Sequence, residues 1–373
     1  MDESGKLTNG SACGNDTASD RKMYRKYMKD AVKYLLTEYH LDGLRFDLMG
    51  LHDIQTMNEI RQMVNELPNG DKIILYGEPW SAGYTGFREG AVAAVRANVD
   101  QFADGIAMFC DYTRDSIKGS VFWDKEPGYA NTINEEQRNA LTDCIKHAVC
   151  AWQNMKPEDF GENYVRNSEG ARDMLDPFYP KSPRQIISYV SAHDNYSLWD
   201  KLLITCMDDP DFDKEPDKDV LQINKFIAGI VFTCLGQPFM QAGEEFARTK
   251  LGAGDSYNLS PKLNRLDYER KDAMEDLVNY YKGLIAFRKK YPAYGEDMEA
   301  AVDRICFLPM KKPLVGFTLD DLVIYYNPLV EKVSVNLPDG NFTMVSDGVG
   351  FEERENISGE ITLLPKSVTI LHK

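Results

Sequence analysis

Hydrophobic and polar positions recur along the chain with two different periods. Apolar side chains repeat at helical spacing over residues 20–38 and again over residues 54–67. Each of these segments is followed by a predicted strand. At residues 41–50 apolar and charged side chains alternate, and residues 72–80 contain an apolar run. This order of helix, strand, helix and strand predicts a parallel α/β fold.

Further segments extend the same pattern. Helical spacing returns at residues 134–152, 219–234 and 274–291, and strands are predicted at 106–110 and 238–245. In the first helix, helical spacing is kept by Met23, Tyr27, Ala31, Tyr34, Leu35 and Glu38.

From about residue 300 the chain consists of short runs rich in β-branched and aromatic residues, separated by turn signals. The predicted strands are 302–308, 314–318, 322–326, 332–337, 342–345, 360–364 and 367–371. We therefore expect an α/β domain at 1–297 and a small all-β antiparallel sandwich domain at 298–373.

Three predicted strands end in an acidic residue. Arg45 and Asp47 lie two apart, on one face of the first strand. Glu78 ends the second apolar run, and Asp194 ends a third run that begins near residue 184. Active sites of α/β folds gather at the carboxyl ends of parallel strands, so the three carboxylates predict such a site. A structural ion pair is the alternative for Arg45 and Asp47.

The stretch 156–183 is polar and contains several prolines. We expect it to be an excursion that passes over the active-site face of the sheet.

Composition narrows the classes of ligand. The 373 residues carry a formal net charge of -16, which argues against nucleic acid and anionic membrane surfaces and is compatible with a neutral ligand such as a sugar. The seven cysteines are scattered without a C-x-x-C pair, which favours free thiols over disulfides or zinc. We find no H-E-x-x-H, phosphate-binding glycine loop or Asp-x-Asp-x-Asp-Gly loop, so no metal or other cofactor is predicted.

The first residues lack the basic and apolar regions of a signal peptide, and no run is long enough to span a membrane. With unpaired cysteines, this favours a cytoplasmic location for the chain as given, whereas a longer enzyme could be secreted.

The segments around the three carboxylates resemble those of type I pullulanases, in the α-amylase superfamily of glycoside hydrolases. The resemblance rests on residues 43–47, 77–80 and 191–195. It extends through 48–53, 197–202, 9–16 and 243–250. Together these segments follow the family's order over nearly the whole chain.

This resemblance implies retaining cleavage of α-1,6-glucosidic branch linkages in pullulan, glycogen, amylopectin or limit dextrins. Asp47 would be the nucleophile, Glu78 the acid/base, and Asp194 the carboxylate that favours a distorted sugar ring. Substrate-binding roles are expected for Arg45, His193, Asn195 and Trp80. From the residues alone, His193 and Asn195 could equally be hydrogen-bonding residues at a strand end, and Trp80 a core side chain. Glu244 and Glu245, near another strand end, are expected to be peripheral.

The sequence also departs from the family pattern. A closed (β/α)8 TIM barrel has eight strands, whereas about five precede the sandwich, and the family's Asn-His and Tyr-Asn-Trp-Gly-Tyr motifs are absent. We therefore expect residues 1–297 to be the C-terminal part of a catalytic barrel in a longer enzyme, inactive or poorly soluble without its N-terminal half. The alternatives are another α-glucan enzyme of the superfamily, such as an α-amylase or branching transferase, and an inactive glucan-binding fragment.

Overall fold

The structure is a computed structural model that describes residues 5–14, 16–83, 85–153, 178–212 and 217–373. The chain forms two compact units. Described residues of the first unit come from Met1–Phe109, 152–153 and 178–187, and those of the second from Cys110–Ala151 and Ser188–Lys373. The division at residue 297 stays a prediction, and residues 156–177 of the expected excursion lie outside the described residues.

A parallel sheet organises the first unit. Its strands are β1 (Gly43–Phe46), β2 (Ile74–Gly77), β3 (Ile106–Phe109) and β4 (Ile186–Ser188), in chain order across the sheet. Along this sheet Arg45 lies opposite Tyr76, and Tyr76 lies opposite Ala107. The helices of this unit are Lys22–Glu38 and Ile54–Asn65.

The helix Lys22–Glu38 forms where its spacing predicted. Its buried side chains are Met28, Val32 and Leu36, while Met23, Tyr27 and Tyr34, which also keep helical spacing, are exposed. The helix carries two apolar stripes, and periodicity alone does not tell which one packs against the helix Ile54–Asn65.

Helices dominate the first part of the second unit. They span Asp111–Lys118, Glu135–Val149, Leu198–Cys206, Lys218–Thr233, Pro261–Asn264, Tyr268–Ala273, Glu275–Lys290 and Met298–Ala301. Between them lies the short strand β5, Gln237–Pro238. The predicted strand 238–245 is therefore largely wrong, because the chain turns at Gly243, whose φ of 96° is left-handed, into a 3-10 helix at Glu244–Phe246.

Antiparallel strands complete the second unit. They are β6 (Cys306–Phe307), β7 (Val315–Leu319), β8 (Leu322–Asn327), β9 (Val333–Asn336), β10 (Phe342–Ser346), β11 (Arg354–Ile357), β12 (Glu360–Leu363) and β13 (Ser367–His372). Six form one sheet in the order β11-β10-β13-β8-β7-β6, and β12 pairs with β9. Val323, Tyr325, Phe342 and Leu363 belong to the core of this region.

The predicted fold class is confirmed: five short barrel-type strands with helices precede an all-β region. The strand predicted at 302–308 is reduced to β6, because Val302–Arg304 is a 3-10 helix. The polar strand β11 was not predicted. Within the described part of the chain, no helix combines the length and apolar character needed to cross a membrane.

Candidate active site

The first carboxylate stands where β1 ends. Asp47 follows the last strand residue, and its side chain is 60% exposed. The next residue, Leu48, takes a left-handed conformation with φ 43°, and a 3-10 helix follows at Met49–Leu51. A Cβ added at Gly50 would lie 2.4 Å from the carbonyl oxygen of Trp80, so this turn approaches the segment after β2 only because residue 50 is glycine.

The second carboxylate stands at the end of the neighbouring strand. Glu78 follows β2, and its side chain is only 6% exposed. Its backbone N–H donates to the carbonyl of Phe46 at 3.1 Å, and its own carbonyl accepts from the N–H of Gly50 at 3.0 Å. These main-chain bonds fix the ends of β1 and β2 side by side, which brings Asp47 and Glu78 to the same edge of the sheet.

Arg45 joins the two carboxylates. Its Nη1 donates to Oδ1 of Asp47 at 2.5 Å, and its Nη2 donates to Oε1 of Glu78 at 2.7 Å. The other Glu78 oxygen, Oε2, accepts from the N–H of Leu48 at 2.7 Å. One carboxylate oxygen of Asp47 and one of Glu78 lie within 4.8 Å of each other. Such oxygens could hold a cation, but the guanidinium already supplies the positive charge between them.

Aromatic rings support the arginine. The Arg45 guanidinium lies 5.4 Å from the centre of the Phe109 ring, and Phe109 meets Tyr76 edge-on with ring centres 5.6 Å apart. This contact limits the orientations of the guanidinium. Trp80, two residues after Glu78, is half-buried.

The pair is asymmetric in its access to solvent. Asp47 is open to a molecule that approaches from outside, whereas Glu78 is enclosed and held by two N–H donors. A structural ion pair alone does not need two carboxylates at one guanidinium with one of them exposed. The arrangement suits two carboxylates that act on one substrate in different roles.

The third predicted motif lies in the second unit. Strand β4 stops at Ser188, so the predicted continuation to residue 194 is wrong, and His193, Asp194 and Asn195 occupy a turn. Nε2 of His193 lies 3.6 Å from Oδ1 of Asp194, and both side chains are more than half exposed. Asn195 has a left-handed φ of 61°. That Asp194 acts together with Asp47 and Glu78 stays a prediction.

Glu244, in the 3-10 helix after β5, is buried and forms hydrogen bonds with two side-chain hydroxyls. Its carboxylate accepts from the hydroxyl of Ser191 and, at 3.0 Å, from that of Tyr281. Burial raises the pKa of Glu244 to about 7. Glu245 accepts from the N–H of Gly243 at 2.9 Å. Their expected peripheral position stays a prediction.

Sequence reasoning missed two parts of the carboxylate pair's surroundings. Phe109 lay in a predicted strand, and the parallel strand order could have suggested that it lies under Arg45. The donation from the Leu48 N–H depends on a left-handed leucine, for which the residue type gives no signal.

The parallel α/β sheet followed by an all-β region is an arrangement that solved pullulanase structures share. No family model matches the chain. The pullulanase of Bacillus subtilis is 32% identical over 363 residues, which cover 94% of this chain and 46% of that protein. The chain is a homologue of the pullulanases, which are glycoside hydrolases.

Solved structures agree with this relationship. Pullulanase from Bacillus acidopullulyticus superposes with a TM-score of 0.82 at 30% identity, over 100% of this chain and 43% of that one. Pullulanase from Anoxybacillus, solved in complex with maltotetraose, superposes with a TM-score of 0.80 at 28% identity. The match covers 100% of this chain and 50% of that one. The chain thus spans about half the length of these relatives.

Proposed function

We propose that this chain carries the catalytic carboxylates of a retaining glycoside hydrolase that cleaves α-1,6-glucosidic branch linkages in pullulan, glycogen, amylopectin or limit dextrins. The observation that carries the proposal is the pair Asp47 and Glu78, bridged by Arg45, with carboxylate oxygens within 4.8 Å. Retaining enzymes place their two carboxyl groups about 5 to 5.5 Å apart, whereas inverting enzymes need roughly 6.5 to 9.5 Å. The short separation supports retention.

Asp47 is the proposed nucleophile. Its exposed carboxylate attacks the anomeric carbon, and the bond from that carbon to the leaving oxygen breaks as Glu78 gives its proton to that oxygen. The result is a glycosyl ester on Asp47 and a shortened glucan. Glu78, now a base, takes a proton from water, which attacks the same carbon and releases Asp47.

Arg45 donates to Asp47 and so holds the nucleophilic carboxylate in a fixed orientation. The motif at residues 191–195 is the basis for a third carboxylate at Asp194 and for sugar-hydroxyl binding by His193 and Asn195. The half-buried Trp80 offers part of an apolar ring for a glucose unit. The choice of the α-1,6 linkage is supported by the pullulanases among the relatives.

The test uses the full-length gene product that contains residues 1–373, assayed on pullulan and on linear amylose. We expect hydrolysis of pullulan and little of amylose. Asp47→Asn should lower kcat/KM on pullulan on the order of 10⁴-fold, because a neutral amide cannot form the ester. Asp42→Asn, a matched change at an exposed aspartate outside the site, should stay within about threefold of the unchanged protein.

Preferential cleavage of amylose would favour an α-amylase instead. Lack of cleavage of either glucan would favour an inactive glucan-binding fragment, and full activity of Asp47→Asn would contradict the assignment of the nucleophile.

A further inference from the structure

Two segments of the family resemblance, residues 197–202 and 243–250, contain charged side chains without a proposed chemical role. Asp200 is fully buried and Lys250 is 1% exposed. Burial of a charge is costly unless it is paired and hydrogen-bonded, so their partners indicate what the two side chains hold in place.

Asp200 fixes the segment that contains Lys250. It lies in the first turn of the helix Leu198–Cys206, which Ser197 caps through a bond from the Asp200 N–H. The Asp200 carboxylate accepts from the hydroxyl of Thr249 at 2.5 Å and from the N–H of Lys250 at 2.7 Å. The backbone of Lys250 is therefore held against the start of this helix.

Lys250 in turn holds the turn that carries Asp194. Its ammonium donates to the main-chain carbonyl of Asn195, and also to that of Gly254 at 3.2 Å. Asn195 is in the left-handed region, where few residues other than glycine are found. Burial lowers the pKa of Lys250, while the negative charges of Asp200 and Asp194 act in the opposite direction. Asp194 therefore lies within electrostatic range of this ammonium.

We propose that Lys250 is a positioning residue that fixes the backbone turn at Asp194 and Asn195, and that Asp200 acts through it. The proposal rests on the proposed function, in which Asp194 acts on the distorted sugar ring. An ammonium held by a fixed backbone sets the direction of the Asn195 carbonyl and so the direction in which the preceding Asp194 side chain leaves the turn. Because Asp194 would act in the transition state, loss of its alignment should lower kcat and leave KM nearly unchanged.

The test variant is Lys250→Met, which keeps most of the side-chain volume and removes the ammonium. The matched control is Lys366→Met, since Lys366 is also buried, at 7% exposure, and also donates to a main-chain carbonyl, that of Ala130. Both variants should lose thermal stability. We expect kcat on pullulan to fall by about 10- to 100-fold for Lys250→Met, the size of one charge-assisted hydrogen bond, with KM within threefold. Lys366→Met should keep kcat within threefold.

Two further readouts separate positioning from a general loss of stability. In a protein that already carries Asp194→Asn, Lys250→Met should lower kcat by less than a further threefold, because its effect acts through Asp194. Amide hydrogen exchange at residues 193–197 should accelerate in Lys250→Met and not in Lys366→Met, and this readout does not depend on any activity.

The proposal is overturned if amide exchange at residues 193–197 is unchanged in Lys250→Met, or if kcat of Lys250→Met falls no further than that of Lys366→Met. It is also overturned if Lys250→Met lowers kcat as much in the Asp194→Asn protein as in the unchanged protein. Faster exchange in a protein that does not cleave pullulan would instead refute the proposed function and leave the structural role of Lys250 standing.

Discussion

Replacement of Arg45 by methionine would remove the guanidinium that donates to both Asp47 and Glu78. The bond to Glu78, a buried partner, is a charge-assisted hydrogen bond of roughly 1.5 to 3 kcal/mol. The bond to Asp47, which is 60% exposed, is screened by water and contributes roughly 0.2 to 1 kcal/mol. The sum is about 2 to 4 kcal/mol. If the transition state loses all of this stabilisation in Arg45→Met, kcat/KM on pullulan falls roughly 30- to 1,000-fold.

The assay compares initial rates of reducing-end release from pullulan, with urea unfolding as a check on folding. Arg45→Lys should lose less than Arg45→Met, because an ammonium keeps the charge but lacks the fork that reaches both carboxylates. Arg354→Met is the control, since Arg354 also forms an ion pair, with Asp347 in the all-β region. If Arg45→Met stays within threefold of the unchanged protein while folded, the bridging arginine has no catalytic importance and the reasoning fails.

Two other predictions concern stability. Burial raises the pKa of Glu244 from 4.5 to about 7, so between these pH values the folded protein holds a proton there that the unfolded chain has lost. The free energy of unfolding should therefore fall as pH rises from 4.5 to 7, by at most about 1.4 kcal/mol per pH unit. Glu244→Gln should remove that slope in urea unfolding at pH 5 and 7, and an unchanged slope would contradict the assignment. Gly50→Ala should cost about 1 to 3 kcal/mol in thermal unfolding, because its Cβ would meet the Trp80 carbonyl, whereas Gly350→Ala, with open space around it, should be nearly neutral. Equal effects of both changes would refute the steric argument.

The sequence predicted the alternation of elements well because that signal is local. Strands β1, β2 and β3 and the long helices Lys218–Thr233 and Glu275–Lys290 formed within a few residues of the predicted positions. The choice between two apolar faces of Lys22–Glu38 is set by which neighbour packs there, and a single helix does not encode this. Strand ends were predicted too long at β4 and β5, because hydrophobicity continues beyond the last ladder bond.

The carboxylate pair was predictable because a charged residue inside a buried strand is costly and therefore conspicuous. Arg45, Asp47 and Glu78 stood out for this reason, and their meeting at adjacent strand ends followed from parallel pairing. The positioning bonds were not predictable. Lys250 reaches Asn195 across 55 residues of sequence, and the Leu48 N–H reaches Glu78 through a left-handed turn. Both depend on three-dimensional proximity that no local pattern specifies.

The most direct test of the central claim measures the anomeric configuration of the sugar first released from pullulan. Proton NMR records this configuration before mutarotation changes it. Displacement by Asp47 followed by hydrolysis of the ester inverts the anomeric carbon twice, so the account predicts the α-anomer as the initial product. Initial release of the β-anomer would mean a single displacement by water and would contradict the assignment of Asp47 and Glu78 as a retaining pair.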